Sequence, residues 1–186
     1  MTLLRRDCLV LIGAFAAGMA RAEDGKAEGA FAFSFEKPGG GLLPLSAHAG
    51  KPILVVNTAT ACGFAPQFSG LQALWTRFGE RGLTVIAVPS PDFGNQEPLD
   101  GPAIAEAARK NFGVTFPIAE KTHVKGAAAH PFYRWAAERK PGETPRWNFH
   151  KYLVGRDGSL KAAFATQVEP TDPRVIAAIG AELGAA

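Results

Sequence analysis

Cysteine is scarce in this chain, with Cys8 and Cys62 the two examples among 186 residues. Cys8 falls in a leader segment that we predict to be removed, which would leave one thiol in the mature chain. A single cysteine cannot form an intramolecular disulfide and is therefore worth testing for reactivity. Ala65 occupies the position at which a CxxC motif would carry its second cysteine. The sequence therefore excludes a disulfide oxidoreductase of the CxxC type.

Patterns that would bind metals, phosphates or nucleic acids are also missing. The glycines at residues 39–41 follow a proline and precede no predicted helix, so they are not a phosphate-binding loop. The net charge is +3, of which residues 1–22 hold +2 (three arginines against one aspartate), and no run of Lys or Arg occurs. The histidines lack the spacing of a zinc or iron site; they are His48, His123, His130 and His150. We therefore predict no cofactor, no metal ion and no nucleic-acid partner.

The first 22 residues have the layout of a secretory signal. Arg5 and Arg6 precede an apolar stretch over residues 8–20, and residues 20–22 form an Ala-Arg-Ala cleavage pattern. The stretch is shorter than the roughly 20 residues that a comfortable membrane span needs. We predict a cleavable signal peptide at residues 1–22 and a mature domain at residues 23–186, periplasmic or secreted, without stable membrane insertion. An uncleaved anchor is the alternative, and the arginine pair leaves the twin-arginine and general secretory routes open.

Hydrophobic periodicity predicts alternating strands and helices after the leader. Phe31, Phe33 and Phe35 alternate as in a strand, with a hairpin partner at residues 42–45. The further strands are predicted at residues 53–56, 83–88, 147–154 and 160–165, with a short extended piece at 116–119. The helices are predicted at residues 68–78 with closure at Gly82, from Pro102 to Phe112, from Pro131 to Trp135, and from Pro173 to Leu183.

The order of these elements predicts the fold class. Strand, helix, strand and helix imply a parallel start to the sheet, and the hairpin that follows implies an antiparallel finish. The expected result is an α/β domain with a central mixed β-sheet and helices on both faces. A thioredoxin-like fold fits this order best, and no second domain is expected.

Cys62 is predicted to lie in the turn between a buried strand and the start of the next helix. Reacting groups gather at the carboxyl ends of strands in open α/β sheets. Backbone N–H groups at a helix start stabilise a thiolate, which is the form that attacks a peroxide O–O bond. Gly63 and Pro66 indicate a tight loop, which favours a reactive thiol over the alternative of an inert, buried cysteine.

Three separated blocks of sequence carry a family resemblance. They are residues 56–64 (VNTATACGF), 93–98 (FGNQEP) and 147–153 (WNFHKYL), and residues 113–117 and 130–133 fit the same pattern. In this order and spacing, from about Phe31 to Arg174, the chain resembles the glutathione peroxidase family in an exported, cysteine-containing, bacterial-type form.

The resemblance implies a catalytic tetrad in which Cys62 replaces the selenocysteine of some relatives. Its partners would be Gln96, Trp147 and Asn148, all of them neutral hydrogen-bond donors. Donors of this kind stabilise a thiolate and the alkoxide that departs when the O–O bond breaks. The implied substrates are a hydroperoxide and a thiol reductant, either glutathione or another thiol.

The chain departs from the family pattern at two places. Pro91-Asp92 stands where an Asn-Gln pair usually precedes the Phe-Gly of the second block, so we expect a stiffer and more acidic loop. Residues 103–111 lack the resolving cysteine that many thiol-specific relatives carry on the next helix. An internal disulfide of the usual form is therefore not available for turnover.

We accordingly predict an enzyme that reduces hydrogen peroxide and organic hydroperoxides through a Cys62 sulfenic acid and protects against oxidative stress. One alternative is a peroxide sensor or redox relay that passes oxidation from Cys62 to a partner protein. Another is a non-catalytic thioredoxin-like binding module with a sluggish Cys62. The sequence leaves open the physiological reductant, the preferred hydroperoxide and the oligomeric state.

Overall fold

Residues 29–184 are described by a computed structural model, so the predicted signal peptide at residues 1–22 lies outside the described residues. The strands are β1 (Ser34–Glu36), β2 (Leu42–Pro44), β3 (Ile53–Thr58), β4 (Thr84–Pro89), β5 (Lys151–Val154) and β6 (Leu160–Phe164). The helices are α1 (Gln67–Phe78), α2 (Pro102–Phe112), α3 (Pro131–Arg139) and α4 (Pro173–Leu183).

The central sheet has four strands in the order β4-β3-β5-β6. Strand β3 pairs in parallel with β4 and antiparallel with β5, and β5 pairs antiparallel with β6. The parallel start and antiparallel finish predicted from the element order are therefore confirmed. The extended piece near Ile118 adds one parallel bridge to Ala87 on the outer side of β4, and β1 and β2 form a separate hairpin.

Helices cover both faces of this sheet because β3 is apolar on both sides. Leu54 and Val56 point to a core shared with α1 and α4. Ile53 and Val55 point to the opposite core, which α3 and the β1–β2 hairpin cover. All six residues of β3 are buried, as expected for a central strand with a continuous apolar run. The apolar side chains at residues 53–56 each contribute about 1.5–3 kcal/mol by leaving water, so β3 is a fixed platform for the loop that follows it.

Several boundaries differ from the sequence-based prediction. Phe31 lies in a 3-10 turn at Gly29–Ala32 rather than in a strand, because the Ala30 N–H bonds to the Gly158 carbonyl across 2.8 Å and draws this segment onto the β5–β6 turn. Helix α1 ends at Phe78 with Gly79 as its C-cap, so Gly82, with a φ of 111°, belongs to the loop beyond the helix.

The third difference places residues 147–150 in a loop instead of the first half of β5. Phe149 has a positive φ of 63°, and this left-handed conformation interrupts an extended strand. Strand β5 therefore begins only at Lys151. Helix α3 also continues past Trp135 to Arg139. The shorter strand matters for function, because it leaves Trp147 and Asn148 in a loop at one end of the sheet.

Candidate active site

Cys62 lies in the loop that joins β3 to α1, and its side chain is only 6% exposed. The backbone N–H of Phe64 donates a hydrogen bond to Sγ across 3.4 Å. Within residues 29–184, no other group donates a hydrogen bond to this sulfur. Because α1 begins only at Gln67, the N–H beside the thiol comes from the preceding turn and not from the helix N-terminus that the sequence predicts. The thiol is thus nearly buried, with one backbone donor directed at it.

Gln96 lies in the loop after β4, beside the residue that precedes Cys62. The N–H of Ala61 donates a hydrogen bond to the Gln96 carbonyl across 3.0 Å. Gly94 and Asn95, just before Gln96, have positive φ angles of 64° and 50°. Glycine adopts this conformation freely and asparagine more readily than most residues, so the chain can reverse direction here and bring Gln96 to the Cys62 loop.

Asn57, at the end of β3, holds the segment that carries Trp147 and Asn148. Its amide donates to the Trp147 carbonyl across 3.0 Å, and its Oδ1 accepts from the His150 N–H across 3.1 Å. Asn57 is fully buried, so these bonds satisfy polar atoms that would otherwise be costly. Sequence reasoning assigned it no role. The signal that points to it is a polar residue at the end of an otherwise apolar buried strand.

The structure brings two of the predicted tetrad side chains into direct contact. Asn148 Nδ2 donates a hydrogen bond to Gln96 Oε1 across 3.1 Å, although 52 residues separate them. The Asn148 carbonyl accepts from the Thr166 hydroxyl across 2.8 Å. Trp147 is 36% exposed, and its ring centroid lies 5.8 Å from that of Phe93.

None of the three predicted partners is hydrogen-bonded to the sulfur of Cys62 in this structure. Gln96 reaches the Cys62 loop through its backbone carbonyl, and Asn148 contacts the Gln96 side chain. Trp147, the neighbour of Asn148, is partly exposed at the surface. The geometry therefore collects Cys62, Gln96 and Asn148 at one end of the sheet, and their catalytic roles remain predictions.

A groove of about 890 Å³ borders the site. Its lining includes Phe64, whose N–H contacts Cys62 Sγ, and Trp147, which adjoins Asn148. Arg146, Glu143 and His150 add polar groups to the wall. This volume lies within the range of pockets that hold small organic ligands, and the groove adjoins Cys62 through Phe64.

Two adjacent titratable side chains beneath this region are buried. Burial, with a smaller contribution from the charge of Lys151, lowers the pKa of His150 to about 4. Burial also lowers the pKa of Lys151 to about 8, although the charge of Glu169 acts in the opposite direction. His150 is therefore neutral near pH 7, whereas Lys151 retains its charge and bonds to the Gln67 side chain and the Val168 carbonyl, each across 2.6 Å.

Residues 29–184 contain neither a metal-binding cluster nor a membrane-spanning helix. In that part of the chain, no group of three or more His, Cys, Asp or Glu side chains is arranged to hold a metal ion. None of its helices has the length and apolarity that a bilayer span requires.

Comparison with known proteins places the chain in a family. The family model described as glutathione peroxidase matches residues 30–137. The chain belongs to the glutathione peroxidase family. A glutathione peroxidase-like peroxiredoxin of Chlamydomonas reinhardtii is 41% identical over 131 residues, covering 69% of this chain and 81% of the relative. A hydroperoxy fatty acid reductase of Synechocystis is 39% identical over 151 residues, covering 76% of this chain and 89% of the relative.

The solved structures agree with this assignment. The apo crystal structure of Trgpx is 31% identical with a TM-score of 0.68, covering 84% of this chain and 97% of that chain. Together with the mixed four-stranded sheet, this likeness confirms the α/β, thioredoxin-like fold. As a member of the glutathione peroxidase family, the protein is an oxidoreductase that reduces peroxide at the expense of a thiol.

Asp92, where the sequence predicts a stiffer and more acidic loop, is bonded to the segment at residues 123–125. Its Oδ2 accepts hydrogen bonds from the N–H groups of Val124 and Lys125 across 2.6 and 3.1 Å, and its Oδ1 contacts His123 Nδ1 across 2.5 Å. Burial raises the pKa of Asp92, but these hydrogen bonds outweigh it and bring the pKa below its usual value. The loop is therefore fixed to residues 123–125, and the Lys125 ammonium lies 4.5 Å from the centre of the Phe93 ring.

Proposed function

We propose that Cys62 is the nucleophile with which this glutathione peroxidase family member reduces hydroperoxides. The observation that carries the proposal is the convergence of the Cys62 loop with Gln96 and Asn148 through the Ala61–Gln96 and Asn148–Gln96 hydrogen bonds. Cys62 is also the only free cysteine within residues 29–184. No other thiol in the described chain competes for the role.

The proposed reaction begins with the Cys62 thiolate attacking the terminal oxygen of the hydroperoxide. A sulfur–oxygen bond forms, the O–O bond breaks, and the electron pair leaves with the alkoxide, which takes up a proton to give an alcohol or water. Cys62 is then a sulfenic acid. An external thiol condenses with it to a mixed disulfide and releases water. A second thiol then attacks the mixed disulfide, forms a disulfide with the first thiol and releases the Cys62 thiolate.

In this proposal, Gln96, Trp147 and Asn148 supply the hydrogen bonds that the reaction needs. Among the groups of residues 29–184, only the Phe64 N–H donates to Sγ, so further donors would act as charge moves from sulfur to the departing oxygen. Neutral amide and indole N–H groups suit this task because they donate hydrogen bonds to a developing anion and do not ionise near neutral pH.

The groove beside Phe64 and Trp147 supports a role for bulky substrates as well as hydrogen peroxide. Its volume of about 890 Å³ exceeds what hydrogen peroxide needs. The Synechocystis relative is named a hydroperoxy fatty acid reductase. We propose that the groove receives the organic part of an alkyl or fatty-acid hydroperoxide, or the thiol reductant in the second half of the cycle.

The first experiment follows hydroperoxide consumption by residues 23–186 with excess glutathione, beside Cys62→Ser. Many turnovers that disappear in the variant support a glutathione-using peroxidase with Cys62 as nucleophile. Consumption of one equivalent followed by a stall instead supports the sensor or relay alternative, in which a partner protein reduces Cys62. Full activity in Cys62→Ser would rule out the mechanism.

We also propose that the protein acts outside the cytoplasm, since the arginine pair, apolar stretch and Ala-Arg-Ala pattern of residues 1–22 have the layout of a secretory signal. The test is mass spectrometry of the protein recovered from periplasmic and cytoplasmic fractions after expression of the full chain. An N-terminus at Glu23 in the periplasmic fraction is expected, whereas an intact Met1 in the cytoplasm would contradict export. Lysine at both Arg5 and Arg6 blocks export only if the route is of the twin-arginine type.

A further inference from the structure

Glu97 is a buried carboxylate beside the site. It directly follows Gln96 in the chain and accepts hydrogen bonds from Thr60, which lies in the Cys62 loop. Its side chain has no exposed surface. Glu97 Oε2 accepts from the Thr60 N–H across 2.9 Å, and Oε1 accepts from the Thr60 hydroxyl across 2.7 Å. The Leu99 N–H adds a longer bond of 3.3 Å to Oε1. A single residue, Thr60, thus occupies both oxygens of the carboxylate.

These bonds join the two loops that carry Cys62 and Gln96. The Ala61 N–H donates to the Gln96 carbonyl across 3.0 Å, directly beside the two bonds from Thr60 to Glu97. Three hydrogen bonds therefore link residues 60–61 to residues 96–97, and Cys62 is the next residue in the chain. Any shift of Thr60 away from Glu97 changes where the sulfur lies relative to the Gln96 side chain.

The carboxylate is placed for hydrogen bonding rather than for ion pairing. Within residues 29–184, no Lys, Arg or His forms a salt bridge with Glu97. The nearby Lys121 bonds instead to the Glu97 and Leu99 carbonyls and pairs with Asp100. Burying an ionised group without a counter-charge is costly unless hydrogen bonds compensate for it. Here the hydrogen bonds come from Thr60 and Leu99, so the satisfaction of the buried carboxylate is coupled to the position of the Cys62 loop.

We propose that Glu97 is a positioning residue of the peroxidase reaction, which fixes Cys62 against Gln96 by accepting both hydrogen bonds of Thr60. The proposal rests on Cys62 being the nucleophile. Displacement of a reacting group by about 1 Å can cost about 100-fold in rate. Loss of the Glu97–Thr60 bonds should therefore slow the attack on peroxide in a protein that remains folded.

The test compares two reactions of reduced Cys62 in residues 23–186, without any added thiol. One is oxidation by hydrogen peroxide in a single turnover, and the other is alkylation by iodoacetamide across a range of pH. Alkylation needs a thiolate but not the alignment with Gln96. For Glu97→Ala we expect oxidation to slow by about 10–100-fold, with alkylation and its pH profile changed by less than about threefold.

Conservative variants separate positioning from charge and from stability. Glu97→Gln can still accept from the Thr60 N–H and donate to the hydroxyl oxygen, so it should recover oxidation to within about threefold of the parent. Thr60→Val removes the hydroxyl donor and keeps the N–H, so it should slow oxidation less than Glu97→Ala. Glu106→Gln, an exposed carboxamide substitution on α2, is the matched control and should change neither reaction.

Three results would overturn the proposal. The first is parent-like oxidation in Glu97→Ala together with parent-like oxidation in Thr60→Val. The second is equal slowing of oxidation and alkylation, which indicates general loosening of the loop. The third is a Glu97→Gln variant as slow as Glu97→Ala with a displaced pH profile, which assigns the effect to charge.

Should Glu97→Ala fail to fold, Thr60→Val and Glu97→Gln decide the outcome. Cys62→Ser is run in parallel, because oxidation that persists in it refutes the nucleophile itself and not only Glu97.

Discussion

Lys151 Nζ lies 2.6 Å from Gln67 Oε1 in the interior of the domain and thereby joins β5 to the first residue of α1. The same ammonium donates to the Val168 carbonyl across 2.6 Å, while Gln67 Nε2 donates to the Thr166 carbonyl across 2.7 Å. Because the Thr166 hydroxyl also donates to the Asn148 carbonyl, Lys151, to which sequence reasoning assigned no role, is connected by hydrogen bonds to the surroundings of the active site.

Lys151 is expected to make the free energy of unfolding depend on pH in the alkaline range. Burial lowers the pKa in the folded state to about 8, from 10.5 in the unfolded chain. The folded state therefore binds this proton more weakly than the unfolded chain does. Below about pH 8, the full cost of keeping Lys151 protonated in the folded state is subtracted from the free energy of unfolding. That cost disappears as the pH rises from about 8 to 10.5, and it amounts to about 3 kcal/mol for a shift of this size.

The measurement is urea unfolding of the parent and of Lys151→Met between pH 7 and pH 10. The free energy of unfolding of the parent should rise relative to that of the variant across this range, because methionine carries no proton to lose. Lys110→Met, at an exposed position on α2, should follow the parent. Parallel curves for the parent and Lys151→Met would refute the assigned titration.

The contact between Asn148 and Gln96 predicts that their mutational effects are not additive. Each alanine variant should lower kcat/KM for hydroperoxide by about 100–1,000-fold, the cost of removing a donor that stabilises a developing anion. Because each side chain positions the other across 3.1 Å, the double variant should lose less activity than the product of the two single losses.

Steady-state kinetics with a fixed excess of thiol will measure this coupling. Asn111→Ala, an exposed asparagine on α2, is the matched control and should retain parent activity. Multiplicative losses in the double variant would show that Gln96 and Asn148 act independently, contrary to the prediction.

Asp92 is expected to stabilise the protein through the segment at residues 123–125. Asp92→Asn retains one carbonyl oxygen but loses the negative charge of the carboxylate that accepts hydrogen bonds from the Val124 and Lys125 N–H groups. The substitution should therefore lower the free energy of unfolding by about 1–3 kcal/mol. Urea unfolding at pH 7 measures the change. Asp100→Asn removes an exposed partner of Lys121 and should cost less than about 1 kcal/mol, so equal losses in the two variants would count against the assigned role of Asp92.

Local patterns predicted most of the fold. The β-branched run that became β3 can be buried on both faces only in the centre of a sheet, and Asp157-Gly158 sets a tight turn between β5 and β6. The boundaries that failed depend on distant contacts. Phe31 leaves the predicted strand because Ala30 bonds to Gly158, and the start of β5 moves because Phe149 takes a left-handed conformation next to Asn57.

The sequence by itself determined the order of the elements, the single thiol of the described chain and the motif blocks that indicated the glutathione peroxidase family. It could do so because periodicity, turn residues and motif spacing are local properties of the chain. Only the tertiary structure decided that Gln96 contacts Asn148, that Glu97 binds Thr60 and that Lys151 lies buried. Those partners are distant in sequence, and they meet because the sheet places the loops after β3 and β4 and the segment before β5 at the same end.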